Sequence, residues 1–325
     1  MIDVLSQIIR RTELGEVIAL CTVVHTRGST PQGKGAAMLV LRDGKTIGTL
    51  GGGCVEAEVR VRAQRLMDEK QNRVVSFRLD QDYGWDDGLV CGGIMDIAIQ
   101  VIGSPQEAVP IQRVLEDLAG NRPGTLVIDA ADEQLQSLRF EIEIFPRPRL
   151  LIAGAGHVGR ALALIAGQID FELTILDDRP DLANTENFPG AQCIIGDIEL
   201  ELSRYKIDPR TYIVIVTRGH RHDARALAAV VESPAAYVGL IGSKRKIHTI
   251  LSELDRQGVA RNQLERVHAP IGLEIAAVTP AEIAVSIAAE LIAVRRGRGD
   301  LPATPMKVPP EKLGRWLQRA RTTAQ

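Results

Sequence analysis

Residues 150–159 read Leu-Leu-Ile-Ala-Gly-Ala-Gly-His-Val-Gly, an apolar run that enters Gly-x-Gly-x-x-Gly at Gly154, Gly156 and Gly159. A strand that ends this way turns at once into a helix. Gly154 permits the turn, Gly156 lets an anion approach the backbone, and Gly159 lets helix and strand pack closely. The unpaired N–H groups at the helix start then favour a phosphate. The pattern begins near the middle of a 325-residue chain. A nucleotide-type fold therefore occupies the second half, and a different fold the first.

The second half alternates strand and helix, which predicts a parallel sheet with helices on both faces. The expected strands are Leu150–Ala153, Glu172–Leu176, Gln192–Ile195, Tyr212–Val216 and Ala236–Ile241, with a helix over Arg160–Ile169. Asp177 lies about 20 residues after the glycines, where a ribose-binding carboxylate is expected. Arg179 beside it leaves NAD against NADP open, and a Rossmann-like fold that holds no dinucleotide is the plain alternative. A last helix is marked by Thr279 as N-cap, Pro280 at N1, Glu282 as partner in a capping box and Gly297 after its end. Pro146-Arg147-Pro148 punctuates the chain just before the motif. The expected domains are residues 1–147 and 148–325, the latter ending in a proline-containing tail.

The first half reads as a mixed α/β domain. Helices are expected over residues 1–13, 55–70 and 105–118. Strands are expected over 17–26, 36–41, 46–50, 74–79, 94–102, 125–128 and 140–144. Asp43-Gly44 marks a hairpin between the second and third of these strands.

Composition excludes several classes. Charge is −2 with no basic run, which argues against nucleic acid as a partner. No apolar run is long enough to span a bilayer, and the first residues lack the pattern of a secretory signal. The four cysteines have no close pairing, which fits a reducing cytoplasm.

Two cysteines stand beside glycines. Cys54 follows Gly51-Gly52-Gly53 and precedes a predicted helix, where a helix N-terminus stabilises thiolate. Glycines there can also form a nest of N–H groups. Cys91 stands in Val90-Cys91-Gly92-Gly93. Thiolates suit soft metals, but the spacing is not that of a zinc site, and small buried packing residues are the alternative. Cys21 and Cys193 fall inside apolar strand patterns. Thr26–Pro31 can hold an anion through Arg27 and its hydroxyls, or be a capped polar turn. Thr217–Asp223 follows a strand, so His220 lies at the ligand-binding edge of the sheet. Ser243 and Lys244 open another helix, where cations oppose the dipole unless an anion joins them. A solvated basic turn is the alternative.

These segments together resemble the XdhC/CoxI family, the xanthine dehydrogenase accessory proteins. The resemblance rests on Leu151–Gly159, Tyr237–Lys244, His268–Leu273 and Thr279–Ala284. In the first half it rests on Thr26–Pro31, Gly52–Glu56 and Cys91–Gly93. It covers nearly the whole chain, with one departure at Gly51, where serine is common. The resemblance implies a cytoplasmic maturation factor that binds molybdenum cofactor, as molybdopterin or its dinucleotide form, and passes it to an apo molybdenum hydroxylase. Sulfuration of the metal, a cysteine desulfurase partner and a homodimer belong to the same implication. The implied contacts are Cys54 and Cys91 at the metal, with Gly154, Gly156, His157, Gly159, Asp177, His220, Ser243 and Lys244 around the rest of the cofactor. An NAD(P)-dependent oxidoreductase and a non-catalytic docking scaffold are the competing readings.

Overall fold

The structure is a computed structural model that describes residues 1–79 and 92–297. Cys91 and the tail from residue 298 lie outside the described residues. The chain divides into two compact units, Met1–Pro146 and a second that begins at Arg147.

The first unit runs α1 (Ile2–Glu13), β1 (Ile18–Arg27), β2 (Ala37–Leu41), β3 (Thr46–Gly48), α2 (Gly53–Glu69), β4 (Arg73–Arg78), β5 (Ile94–Ile102), α3 (Pro105–Ala119), β6 (Gly124–Ala131) and β7 (Ser137–Ile144). Its mixed sheet has the order β3-β2-β1-β5-β4-β6-β7. β1 is central and buried on both faces, so its sequence is a continuous apolar run rather than an alternating one. Ile18, Leu20 and Val24 pack toward α1 and α3, while Ala19, Cys21 and Val23 pack toward α2. A bulge between Val23 and His25 resets that alternation near the strand end. β6 and β7 are each longer than the sequence suggests, because Asp129 and Arg139 continue the ladder on its exposed face.

The second unit runs β8 (Arg149–Ala153), α4 (His157–Gln168), β9 (Glu172–Asp177), β10 (Gln192–Ile195), α5 (Ile198–Arg204), β11 (Thr211–Ile215), α6 (His220–Val230), β12 (Tyr237–Leu240), α7 (Lys244–Arg256), α8 (Arg261–Glu265), β13 (Val267–His268) and α9 (Pro280–Arg295). All pairings in its sheet are parallel, in the order β10-β9-β8-β11-β12-β13. α4 and α9 cover one face, and α5, α6 and α7 the other. Leu150 and Ile152 face the first layer; Leu151 and Ala153 face the second. This is the Rossmann-like sheet expected from the sequence. α4 begins at His157, three residues ahead of the predicted start, because extended Gly156 already serves as its N-cap. α9 carries the capping box read from Thr279 and Glu282.

Gly159 tests the packing at the motif. A Cβ there would stand 2.0 Å from the Gly154 carbonyl oxygen. Alanine in a helix interior is ordinarily favoured over glycine by about 1 kcal/mol, but the overlap here outweighs it. Gly159→Ala is expected to destabilise the second unit by about 2 kcal/mol, read as a lower urea midpoint.

Candidate functional site

Because the second sheet is parallel, the loops after β8, β9, β11 and β12 lie at one edge. The strand order runs outward from β8 to β10 and returns to β11 on the other side. The edge between β8 and β11 is therefore the switch point, where open α/β sheets form a crevice. Gly154 seals its floor: it has φ +124°, and a Cβ would lie 2.4 Å from the Val216 carbonyl oxygen.

Gly156 is different. Its φ is −73°, open to any L residue, and no atom stands within 4 Å of where its Cβ would be. Neither backbone conformation nor packing requires a glycine here; what its absent side chain leaves is open space over the start of α4. No side chain caps α4 or α6, so their first N–H groups face that edge. His157, His220 and Lys244 are the first residues of α4, α6 and α7, and all three are exposed. Ser243 caps α7 by accepting the Lys246 N–H at 3.3 Å.

The carboxylates at this edge depart from the sequence expectation. Asp177 is 1% exposed. Its Oδ2 accepts the Ala155 N–H at 2.7 Å and its Oδ1 accepts Arg179 Nε at 2.7 Å. The carboxylate is turned inward and holds the glycine loop, so it does not stand as a ribose acceptor. Burial pushes its carboxyl up, but Arg179 and the Ala155 N–H outweigh this and hold it at about 2. The exposed acid is Asp178, paired with Arg218 from the loop after β11 at 2.6 Å. Asp223, fully buried, accepts from the Thr217 hydroxyl at 2.6 Å and from Lys246 Nζ. These pairs tie neighbouring loops together across the edge.

Sequence reasoning also missed a buried cluster behind the last strands. Glu290 of α9 is 8% exposed. It accepts from Tyr237 Oη, from the Gly272 N–H at 2.9 Å, and pairs with His268 Nδ1 at 3.1 Å. Burial pushes the Glu290 carboxyl up, and these partners overcome it to hold it below its ordinary value. The residues belong to segments 237–244 and 268–273, which the sequence flags, but their partner on α9 has no local signal.

In the first unit, Cys54 is half-buried in the first turn of α2. The N–H groups of Leu50, Gly51 and Gly52, just ahead of it, are engaged, whereas no side chain caps the start of α2. Glu56 Oε1 accepts from Leu50 N and Gly52 N, both at 2.8 Å, and from Thr49 Oγ1 at 2.6 Å. The protein's own carboxylate thus takes part of the glycine turn ahead of Cys54, leaving the first N–H groups of α2 without a side-chain cap. Burial raises the Glu56 carboxyl, and these donors bring it below its ordinary value.

The flagged segments of this unit converge. A Cβ on Gly51 would lie 2.5 Å from Pro31 Cβ, and one on Gly93 would lie 2.2 Å from the Ser29 carbonyl oxygen. Thr26–Pro31, the Cys54 loop and the Gly92–Gly93 turn therefore share one end of the sheet. On the β1–β5–β4 ladder nearby, Asp96 pairs with His25 Nδ1 at 3.1 Å and accepts from Ser76 Oγ at 2.6 Å. Burial pushes the Cys21 thiol up, and likewise Cys193. Among the described residues no group of three or more His, Cys, Asp or Glu is arranged to hold a metal ion, and no helix is long and apolar enough to cross a membrane.

The Asp177 carboxyl sets an acid limb of stability. Its lowered value contributes stability that is fully present above the ordinary value near 3.8 and is lost as pH falls toward about 2. Asp177→Asn is expected to cost about 2 kcal/mol at pH 7. It is also expected to flatten the fall in denaturation free energy across that window.

Residues 150–291 match the family model described as the XdhC Rossmann domain, and residues 12–78 match that described as the XdhC and CoxI family. A relative in Escherichia coli named YqeB is 31% identical over 279 residues, covering 85% of this chain but only 43% of its own length. A Bacillus subtilis relative, named as a probable xanthine dehydrogenase subunit, is 28% identical, over 86% of this chain and 94% of its own. The molybdenum cofactor insertion chaperone PaoD of Escherichia coli is 28% identical, over 86% of this chain and 84% of its own. A solved structure from Bacillus halodurans, described as a xanthine dehydrogenase, shares the fold with TM-score 0.80 at 24% identity, over 96% of this chain and 98% of that one. With both halves matched, the chain belongs to the XdhC/CoxI family.

Proposed function

We propose that this protein is a maturation factor for a molybdenum hydroxylase, binding molybdenum cofactor and delivering it to the apo-enzyme. The observation that carries the reading is Gly156. It is a glycine that the fold itself does not require, placed over the uncapped start of α4 at the switch point of the sheet. Such a position is explained by a phosphate that comes within contact of the backbone. The names of two relatives, one a cofactor insertion chaperone and the other part of a xanthine dehydrogenase, supply the class of cargo.

The cargo carries a phosphate on a pyranopterin that holds molybdenum through sulfur. His157, His220, Ser243 and Lys244 stand around the phosphate end, since each opens or caps a helix at that edge. Lys244 supplies charge there, and the two imidazoles can donate a hydrogen bond. In the first unit, Cys54 and Cys91 are the proposed contacts of the metal–sulfur end. With the glycine loop clasped by Glu56, Cys54 offers its thiol from the first turn of α2. Sulfuration of the metal, with a cysteine desulfurase as the sulfur source, and a homodimer as the working form belong to the same proposal.

The test is uptake. Anaerobic incubation with molybdenum cofactor, gel filtration and metal analysis are expected to show molybdenum co-eluting with the protein. Threonine and glycine are near equals at an N-cap, so Gly156→Thr is expected to keep the melting temperature while weakening retention by about tenfold. Cys54→Ser is expected to fold normally and lose retained molybdenum. NAD(P)H binding without cofactor uptake would overturn the reading in favour of an oxidoreductase.

A further inference from the structure

At the far side of the same sheet edge, a cleft of about 410 Å³ opens between the loop after β12 and the segment from Pro270 to Ala277. This is within the size range of small-ligand pockets. Its apolar lining comes from Ile241, Ile271, Ile275 and Ile283, and its charged groups are Lys244 and Glu274.

The wall formed by residues 270–273 is held rigidly. Ile271 N donates to the Leu240 carbonyl at 3.1 Å, Gly272 N to Glu290 Oε2 at 2.9 Å, and Ser286 Oγ to the Leu273 carbonyl at 2.6 Å. Ser286 and Glu290 are four residues apart, so one face of α9 clamps the whole wall. The wall therefore needs little reordering when a ligand enters. Ile275 is 47% exposed at the rim, a branched apolar side chain left in solvent.

The chemistry selects a ligand class. A lining of isoleucines suits the apolar face of a flat ring. Glu274 is exposed, and its Oε1 accepts the Ala276 N–H at 3.2 Å. A carboxylate has room for further donors and prefers two side by side. We infer that the cleft binds a flat heterocycle through an adjacent N–H and NH₂ edge, read by Glu274, with the ring against the isoleucine lining. Pterins and guanines share that edge. The inference rests on the proposed function, because it names which part of the cargo this end of the site takes: the pterin, or the base of a guanine dinucleotide form. Only β11 separates β8 from β12, so the ends of those two strands, after which Gly156 and the loop lining the cleft follow, stand about 10 Å apart at ordinary strand spacing. A phosphate and the ring joined to it span a distance of that order.

The experiment titrates the full chain with 6-carboxypterin, GMP and AMP, following pterin fluorescence for the first and calorimetry for the nucleotides. AMP lacks the double-donor edge. The expected result is that 6-carboxypterin or GMP binds at least about tenfold more tightly than AMP, and whichever binds identifies the source of the ring. Glu274→Gln abolishes that preference, and Ile275→Ala weakens every probe. Equal binding of AMP, or a preference that survives Glu274→Gln, overturns the inference. Uptake of whole cofactor unaltered by Glu274→Gln also overturns it, with the maturation role intact. Donor-edge selectivity lost in Glu274→Gln, with no uptake of whole cofactor by the wild type, supports the ring specificity and overturns the maturation role instead.

Discussion

The close approach of β8 to β11 at the switch point is the constraint on which the second unit depends. Gly154 turns away from β8 so near the Val216 carbonyl that no side chain fits between them. The turn brings Ala155 N within reach of Asp177, places Gly156 as the N-cap, and starts α4 one residue later. Asp177 then takes Arg179 as counter-charge. A buried carboxylate costs several kcal/mol unless it is paired and hydrogen-bonded, and here both conditions are met by residues of its own edge. The geometry that receives an anion and the geometry that stabilises the sheet are thus the same few atoms.

The first unit solves a different problem. Its central strand is buried on both faces, so its chemistry is confined to strand ends and turns. The three glycine-containing turns meet at one end, and Glu56 accepts the Leu50 and Gly52 N–H groups of the turn that leads into α2. His25, Asp96 and Ser76 sit in one cross-strand row, where the carboxylate fixes the imidazole through Nδ1 and leaves Nε2 outward.

What the sequence made legible followed range. Strands β8, β9 and β11, the cap of α9 and the helix start at Ser243 are encoded by neighbours in the chain. They were readable from apolar runs, glycines and capping residues. Asp177 was found in the right place with the wrong task. Spacing locates a carboxylate at a strand end but not the direction it faces, and that was decided by Arg179 two residues on. Glu290 was invisible because its partners are Tyr237, His268 and Gly272, and nothing within a turn of α9 announces a charge meant for burial. The clasp of Glu56 was hidden by a similar ambiguity, since an acid in a first helical turn reads as ordinary dipole compensation. The family resemblance carried the class of cargo, which residue patterns alone did not.

The clamp made by α9 also couples two parts of the unit that the chain keeps apart. β13 has only two paired residues, so beyond the single bond from Ile271 N to the Leu240 carbonyl of β12 the segment after it owes its order to Glu290 and Ser286. The amide hydrogens of Gly272 and Leu273 are sheltered only while α9 stays docked, with Arg295 reaching the Ile169 carbonyl at its far end. Their exchange with solvent deuterium is therefore a clock for the undocking of a whole helix, and not for the fraying of the loop in which they lie.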